Sequence, residues 1–410
     1  MCQGGTPVPF TLEELRECAA ELENVAPRTP IEYSGALSNL AGVPVYLKCE
    51  NLQQGGSFKI RGAYARMLNL SDAEKEAGVL AASAGNHAQG VALAARHLGI
   101  EATVYMPASA AIPKVMATRS YGAKTILTGA TIDDALEEAV KDSERTGRTI
   151  IHPFDHADIV RGQGTLGLEI AEQVPEVKTV LVPTGGGGLL AGVSHAVRLA
   201  LGQGVDVVGV QARGAAAYPE SLSRGTPVPL STMTTMADGI AVGRPGDVPL
   251  EVVRREVRRI DLVSEEEMSQ ALLLLAERAK LVVEPSGAVG VAAAIAGAGT
   301  WQEGPLVIVL TGGNIDPLVL MRVLRHGMTS AGRFLTVRVR VPDRPGNLAG
   351  LLAHLAATGA NVVTVRHSRT SPTLAVNEVD IAVEMETRGA DHRETVVAEL
   401  AQAGYAVQPQ

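Results

Sequence analysis

Four short stretches of this 410-residue chain hold residue types whose spacing suits chemistry. Lys59 stands between Phe58 and Ile60 in Ser57-Phe58-Lys59-Ile60-Arg61-Gly62-Ala63, after the polar run from Glu50 to Ser57. An amine in a partly apolar setting loses water, its pKa falls, and it becomes a nucleophile or base, as a Schiff-base lysine must. A surface lysine at a helix start is the competing reading. In Thr184-Gly185-Gly186-Gly187-Gly188-Leu189-Leu190-Ala191 four successive Cβ atoms are missing, so backbone amides can close around a phosphate at a helix start. The absence of a G-K-[ST] ending excludes a Walker-type loop. Gly186, Gly188 and Ala191 also fit the G-x-G-x-x-A pattern of dinucleotide sites, but the next strand-like run ends Val210-Gln211-Ala212-Arg213, without the acid that holds a ribose. A plain glycine turn is the third reading. Ser83-Ala84-Gly85-Asn86-His87-Ala88-Gln89-Gly90 joins a strand to a helix, where unpaired N–H groups suit an anion such as an amino-acid carboxylate. Asn86 adds a neutral donor for a phenolic oxygen, while an ordinary N-cap loop is equally compatible. Thr311, at the C-terminal tip of a strand-like run, offers a hydroxyl to a ring nitrogen or serves as a turn residue.

The elements that must position these residues alternate between strands and helices. Strands are predicted at Val43–Leu47, Gly78–Ala82, Ala102–Met106, Thr125–Leu127 and Thr149–His152, with a helix over Asn86–Leu98. A second set follows at Thr179–Val182, Val205–Val210 and Pro305–Leu310. This order predicts mainly parallel α/β sheets in two lobes with a cleft between them, the smaller lobe covering roughly residues 50–155. Past about residue 328 the rhythm changes. Phe334–Val341 alternates like a half-exposed strand, Leu348–Ala357 is helical, Val362–Ser368 and Leu374–Glu384 are strand-like, and Arg393–Ala403 is helical before a last strand. That β-α-β-β-α-β order predicts a separate ferredoxin-like domain over residues 329–410.

Composition narrows the function classes. Acidic and basic residues are mixed, the net charge is −8, and aromatics make up only 3%, so neither a basic stripe nor a stacking platform for nucleic acid is present. The first residues lack the basic and apolar regions of a signal peptide, and the small-residue run Ala288–Ala298 is too short and glycine-rich to span a bilayer. Cys2, Cys18 and Cys49 are scattered without C-x-x-C spacing, which argues for a reducing cytoplasm and against structural zinc.

Together these motifs resemble the pyridoxal-phosphate enzymes of the threonine dehydratase and serine racemase family, over roughly residues 10–328. The segments Glu284-Pro285-Ser286-Gly287, His152-Pro153-Phe154-Asp155 and Gly162-Gln163-Gly164-Thr165 also resemble family segments. The resemblance implies a two-lobed fold of the tryptophan-synthase-β type over residues 1–328. Lys59 would hold the cofactor aldehyde and serve as base at the substrate α-carbon, with Phe58 beside the ring and Asn86 on the ring hydroxyl. Gly185, Gly186, Gly187, Gly188 and the Leu189 amide would hold the phosphate, and Thr311, where the family usually has serine, would face the ring nitrogen. Ser83, Ala84, Asn86 and His87 would form the loop taking the substrate carboxylate. The implied reaction removes water from L-threonine and yields 2-oxobutanoate and ammonia, with L-serine as a side substrate. Serine dehydratase or a serine racemase-like enzyme is the alternative. Racemases of the family carry serine where this chain has Ala84, and racemase-like members bind a metal through acids that the run Gln211–Ala217 lacks, so no metal is expected. The tail resembles an ACT domain, which implies an amino-acid effector near Gly346 and Asn347 and a homo-oligomer, expected to be a tetramer. Feedback control in isoleucine biosynthesis and a degradative role are both compatible with such a tail.

Overall fold

A computed structural model describes residues 10–297, 300–301, 304–369 and 374–409 of the chain. They divide into two compact units between Leu320 and Met321, within the helix Pro317–Ser330. The expected boundary after residue 328 lies further along this same helix.

The strands, in chain order, are β1 (Ile31–Tyr33), β2 (Val45–Lys48), β3 (Val79–Ala82), β4 (Ala102–Met106), β5 (Lys124–Leu127), β6 (Thr149–Ile150), β7 (Thr179–Pro183), β8 (Asp206–Ala212), β9 (Arg259–Val263), β10 (Leu306–Val309), β11 (Phe334–Pro342), β12 (Asn361–Ser368), β13 (Glu378–Glu386) and β14 (Val407–Pro409). The first unit holds two sheets. One has the order β5-β4-β3-β6 with every neighbour parallel; the other has the order β1-β2-β10-β7-β8-β9, parallel except at β1. Strands β7 and β10 are buried along their whole length, which is why they read as unbroken apolar runs rather than alternating ones.

The predicted elements are present with shifted ends. β2 starts after Pro44, which has no N–H to give a ladder. It pairs with β10, from Leu306↔Val45 to Val309↔Lys48, so the early strand belongs to the large sheet rather than to the four-stranded one that follows it in sequence. β6 ends at Ile150, because the chain turns at His152. The predicted helix over Asn86–Leu98 is found with those bounds and ends at Gly99, in the left-handed region.

In the second unit β13 starts at Glu378 rather than Leu374; a turn in which the Glu378 N–H donates to the Ala375 carbonyl precedes it, and residues 370–373 of the adjoining connection lie outside the described residues. The sheet order β12-β13-β11-β14, with the helices Asn347–Ala357 and Ala390–Gln402, is the ferredoxin-like arrangement. Leu335, Val337, Val339 and Val341 alternate inward along β11 and meet Leu351, Leu355, Val396 and Leu400 of the helices. Among the described residues no helix is long and apolar enough to cross a membrane; the small-residue run forms the buried helix Pro285–Ala296.

Candidate active site

Lys59 opens the helix Lys59–Leu68. The segment before it is tied to the end of β10: the Phe58 N–H donates to the Thr311 carbonyl (3.2 Å), the Gly313 N–H donates to the Gly56 carbonyl (2.9 Å), and Ser57 bridges Gly312. Motifs far apart in sequence are thereby joined. The helix Asn86–Leu98 packs on the same point, because Gly90 has no Cβ to hold it away from the Lys59 backbone. All three motifs, with the four-glycine turn, line one cleft of 1130 Å³ inside the first unit.

The Lys59 amine donates to the Pro153 carbonyl (3.0 Å) and lies 5.1 Å from the Phe58 ring centroid. Burial pushes its pKa down to about 8, with the Glu284 carboxylate acting in the opposite sense. Glu284 is itself buried, and burial, reinforced by Asp238, pushes its carboxyl up to about 7. Its Oε1 accepts from Asn86 Nδ2 (2.6 Å), while Asn86 Oδ1 accepts from Asn314 Nδ2 (2.9 Å). These two bonds fix which end of the Asn86 amide is the donor and leave one of its N–H groups for a further acceptor.

His87 is buried, with Nε2 2.7 Å from the Ile151 carbonyl, and burial together with Lys59 pushes its pKa down to about 3. The ring is therefore neutral and committed to the protein, and what His87 offers an anion is its backbone at the helix start. The Ser83 hydroxyl accepts from the Gly85 N–H (3.2 Å), and Ala84 lines the cleft beside it. Thr311 is buried in the cleft wall at the end of β10.

The glycine turn runs from β7 into the helix Gly188–Leu201. Gly187 has φ +99°, and a Cβ there would collide with the Tyr218 hydroxyl, while one at Gly186 would enter the Phe154 ring. The turn thus needs glycine for space as well as for conformation. N–H groups of the helix's first turn lack intrahelical acceptors, and Leu189 sits among them. Gln211, where a dinucleotide site needs its acid nearby, instead holds the loop after β8: Oε1 accepts from the Tyr218 N–H (3.0 Å).

An anionic, ring-bearing cofactor fits these residues. The glycine turn presents bare backbone to the cleft at a place where Phe154 and Tyr218 leave no room for a Cβ, and the buried atoms Ser286 Oγ and Gln163 Oε1 have no hydrogen-bond partner among the described residues although both residues line the cleft. Sequence reasoning assigned no role to Glu284, Asn314, Pro153 or Phe154. The signal for Glu284 was a carboxylate in the N-cap position directly before a Pro-Ser-Gly helix start, where serine, threonine or aspartate is the usual cap.

In the second unit Gly346, with φ +96°, precedes the helix Asn347–Ala357, and Asn347 Nδ2 donates to the Pro342 carbonyl (2.8 Å). That bond closes the turn itself, as a purely structural asparagine would.

The chain is similar to known proteins over most of its length. A family model described as pyridoxal-phosphate dependent enzyme matches residues 22–312. The chain is 44% identical to a Thermotoga maritima protein named L-threonine ammonia-lyase, over 97% of this chain and 99% of that one. Among solved structures, the processed form of threonine deaminase isoform 2 from Solanum lycopersicum superposes with a TM-score of 0.74 at 36% identity, over 79% of this chain and 91% of that one. Maize serine racemase superposes with a TM-score of 0.73 at 34% identity, over 79% and 99%. With an apolar-set lysine, a glycine cradle and a match across most of its length, the chain belongs to the pyridoxal-phosphate dependent enzymes.

Proposed function

We propose that this chain is an L-threonine ammonia-lyase, which removes water from L-threonine and releases 2-oxobutanoate and ammonia, with L-serine as a side substrate. The observation that carries the reading is the identity with a protein of that name along nearly the whole of both chains. When bound, pyridoxal phosphate supplies an aldehyde for amines and a ring that withdraws electrons from the substrate α-carbon. The protein's part is to hold, orient and move protons. Lys59 Nζ, with its pKa near 8, takes the α-proton at neutral pH far more readily than an ordinary lysine. Gly185 to Gly188 and the Leu189 amide would hold the phosphate, Phe58 would pack beside the ring, and the free N–H of Asn86 would meet the ring hydroxyl. Thr311, buried in the cleft wall, would offer the ring nitrogen a neutral hydroxyl, which would stabilise positive charge there less than a carboxylate and so favour prompt loss of the β-hydroxyl. The loop Ser83–His87 takes the substrate carboxylate on its N–H groups. Ala84 has no side-chain proton to offer the opposite face of the α-carbon, which supports elimination over racemisation. One methyl group contributes only ~1–3 kcal/mol of discrimination, so serine turnover accompanies threonine turnover.

The second unit is read as an ACT module over residues 329–410 that binds an amino-acid effector around Gly346 and Asn347, within a cytoplasmic homo-oligomer, a tetramer. Its ferredoxin-like sheet and the open space about Gly346 support this reading. The test of the activity is to mix purified protein with L-threonine or L-serine and follow the 2-oxo acid, with Lys59→Ala beside it. Product from the native chain alone, larger for threonine, is expected. No 2-oxo acid from a cofactor-loaded native chain would sink the elimination reading.

A further inference from the structure

The turn His152-Pro153-Phe154-Asp155 follows β6 and forms part of the cleft wall. His152 Nδ1 accepts two backbone N–H groups, from Asp155 at 2.8 Å and from Phe154 at 3.3 Å. A ring nitrogen that accepts in this way carries no proton, so the imidazole is neutral with its hydrogen on Nε2. Burial lowers the pKa of the ring and Lys59 adds to this, while Asp155 opposes. The His152 ring also meets the Phe154 ring edge-on, at 4.7 Å and 85°.

Three contacts depend on this turn. The Pro153 carbonyl receives the Lys59 amine. The Phe154 ring lies against Gly186, and the Phe154 backbone against Gly188. Asp155 Oδ1 accepts from the Val248 N–H (2.9 Å), beside Gly246, whose N–H donates to the Gly186 carbonyl (3.0 Å). One four-residue turn therefore touches both the amine and the phosphate cradle.

We propose that His152 is a positioning residue, acting through Nδ1: by holding two N–H groups it fixes the turn that anchors the Lys59 amine and walls the glycine cradle. The inference rests on the reading of Lys59 and the glycine turn given above. A direct role, with Nε2–H donating to the substrate, makes the opposite prediction for one substitution. Asparagine places Oδ1 one bond beyond Cγ, where Nδ1 stands, and can accept the same two N–H groups in an Asx-turn, but it has nothing in place of Nε2. Leucine fills similar space and accepts nothing.

The experiment compares the wild-type chain, His152→Asn, His152→Leu and Lys59→Ala, each full length. Four quantities are read: the absorption band of the lysine-bound cofactor, the Kd of pyridoxal phosphate for cofactor-stripped protein, the melting temperature, and kcat with KM for L-threonine. His152→Leu is expected to bind the cofactor about tenfold more weakly and to lose about 100-fold in kcat, with a weakened or displaced band. His152→Asn is expected to stay within about threefold of wild type in all of these, and it decides the matter even if His152→Leu does not fold. A His152→Asn protein that folds and binds cofactor normally but has lost turnover would overturn the inference in favour of Nε2. Wild-type cofactor affinity and band in a folded His152→Leu would also overturn it. A wild-type chain with no Lys59-dependent band overturns the cofactor reading itself, and this inference with it.

Discussion

Lys59 and Arg61 are two residues apart on the first turn of one helix, yet they live in opposite electrostatic worlds. Arg61 is fully buried and tied on nearly every donor: Nε and Nη2 to the Glu50 carboxylate, each at 2.8 Å, and Nη1 to Glu169 (2.6 Å) and Thr165 (3.1 Å). Lys48 completes this cluster with bonds to Glu169, Gln173 and the Thr29 carbonyl, so two cations meet two carboxylates. Lys59 has a carbonyl and an aromatic face but, among the described residues, no carboxylate in hydrogen-bond contact, and its pKa falls. Burial without a paired charge is what makes an amine reactive. The same burial with full pairing makes Arg61 a structural bolt that fastens the Lys59 helix to the helix Ala157–Gln173.

This contrast can be broken by substitution, and the effects should fall in order. Arg61→Met leaves the buried Glu50 carboxylate without its paired cation, while the partly buried Glu169 keeps Lys48, and urea unfolding should show a loss of about 3–5 kcal/mol. An unchanged urea midpoint would mean that the cluster is not the bolt described. Lys59→Met should act in the opposite direction. In the cofactor-free chain the native amine has a pKa near 8 against 10.5 in the unfolded chain. The charged amine thus costs the folded state most below pH 8, and the cost fades as pH rises to 10.5. Removing it should raise stability at pH 7 by roughly 2–3 kcal/mol while abolishing product, and the gain should shrink at pH 10.

Glu284→Gln sharpens the comparison from the acidic side. The native carboxyl keeps its proton up to about pH 7, whereas the unfolded one releases it near 4.5. Stability should therefore fall with rising pH across that window, and the substitution should flatten the slope, giving about 1–2 kcal/mol at pH 8. Thermal melts at pH 5 and pH 8 read this directly, and an equal slope in both proteins would remove Glu284 from the account. Last comes Arg28, paired with Glu172 at 3.1 Å but half exposed. Arg28→Ala should change stability by less than ~1 kcal/mol, because water and salt already screen the pair.

Much of this molecule was legible in the chain. Parallel strands β7 and β10 announced themselves as unbroken apolar runs, and β11 as an alternating one, because side-chain burial repeats with the backbone's own period. The four glycines pointed to a bare turn whose amides could close around a phosphate, and the structure adds a packing reason for them, since Tyr218 and Phe154 leave no room for a Cβ. Strand ends were less legible, since Pro44 and the His152 turn cut strands by local bonding that apolar pattern does not register.

By itself the sequence determined most of the strands, though not β1 or β9, and which residue types could bind a phosphate or form a Schiff base, because these follow from local period and side-chain chemistry. Only the tertiary structure decided that β2 pairs with β10, that Glu284 meets Asn86, and that Pro153 receives the Lys59 amine. Each of these joins residues far apart in the chain. Both a shifted pKa and a fixed donor depend on such neighbours, whose identity no local pattern encodes.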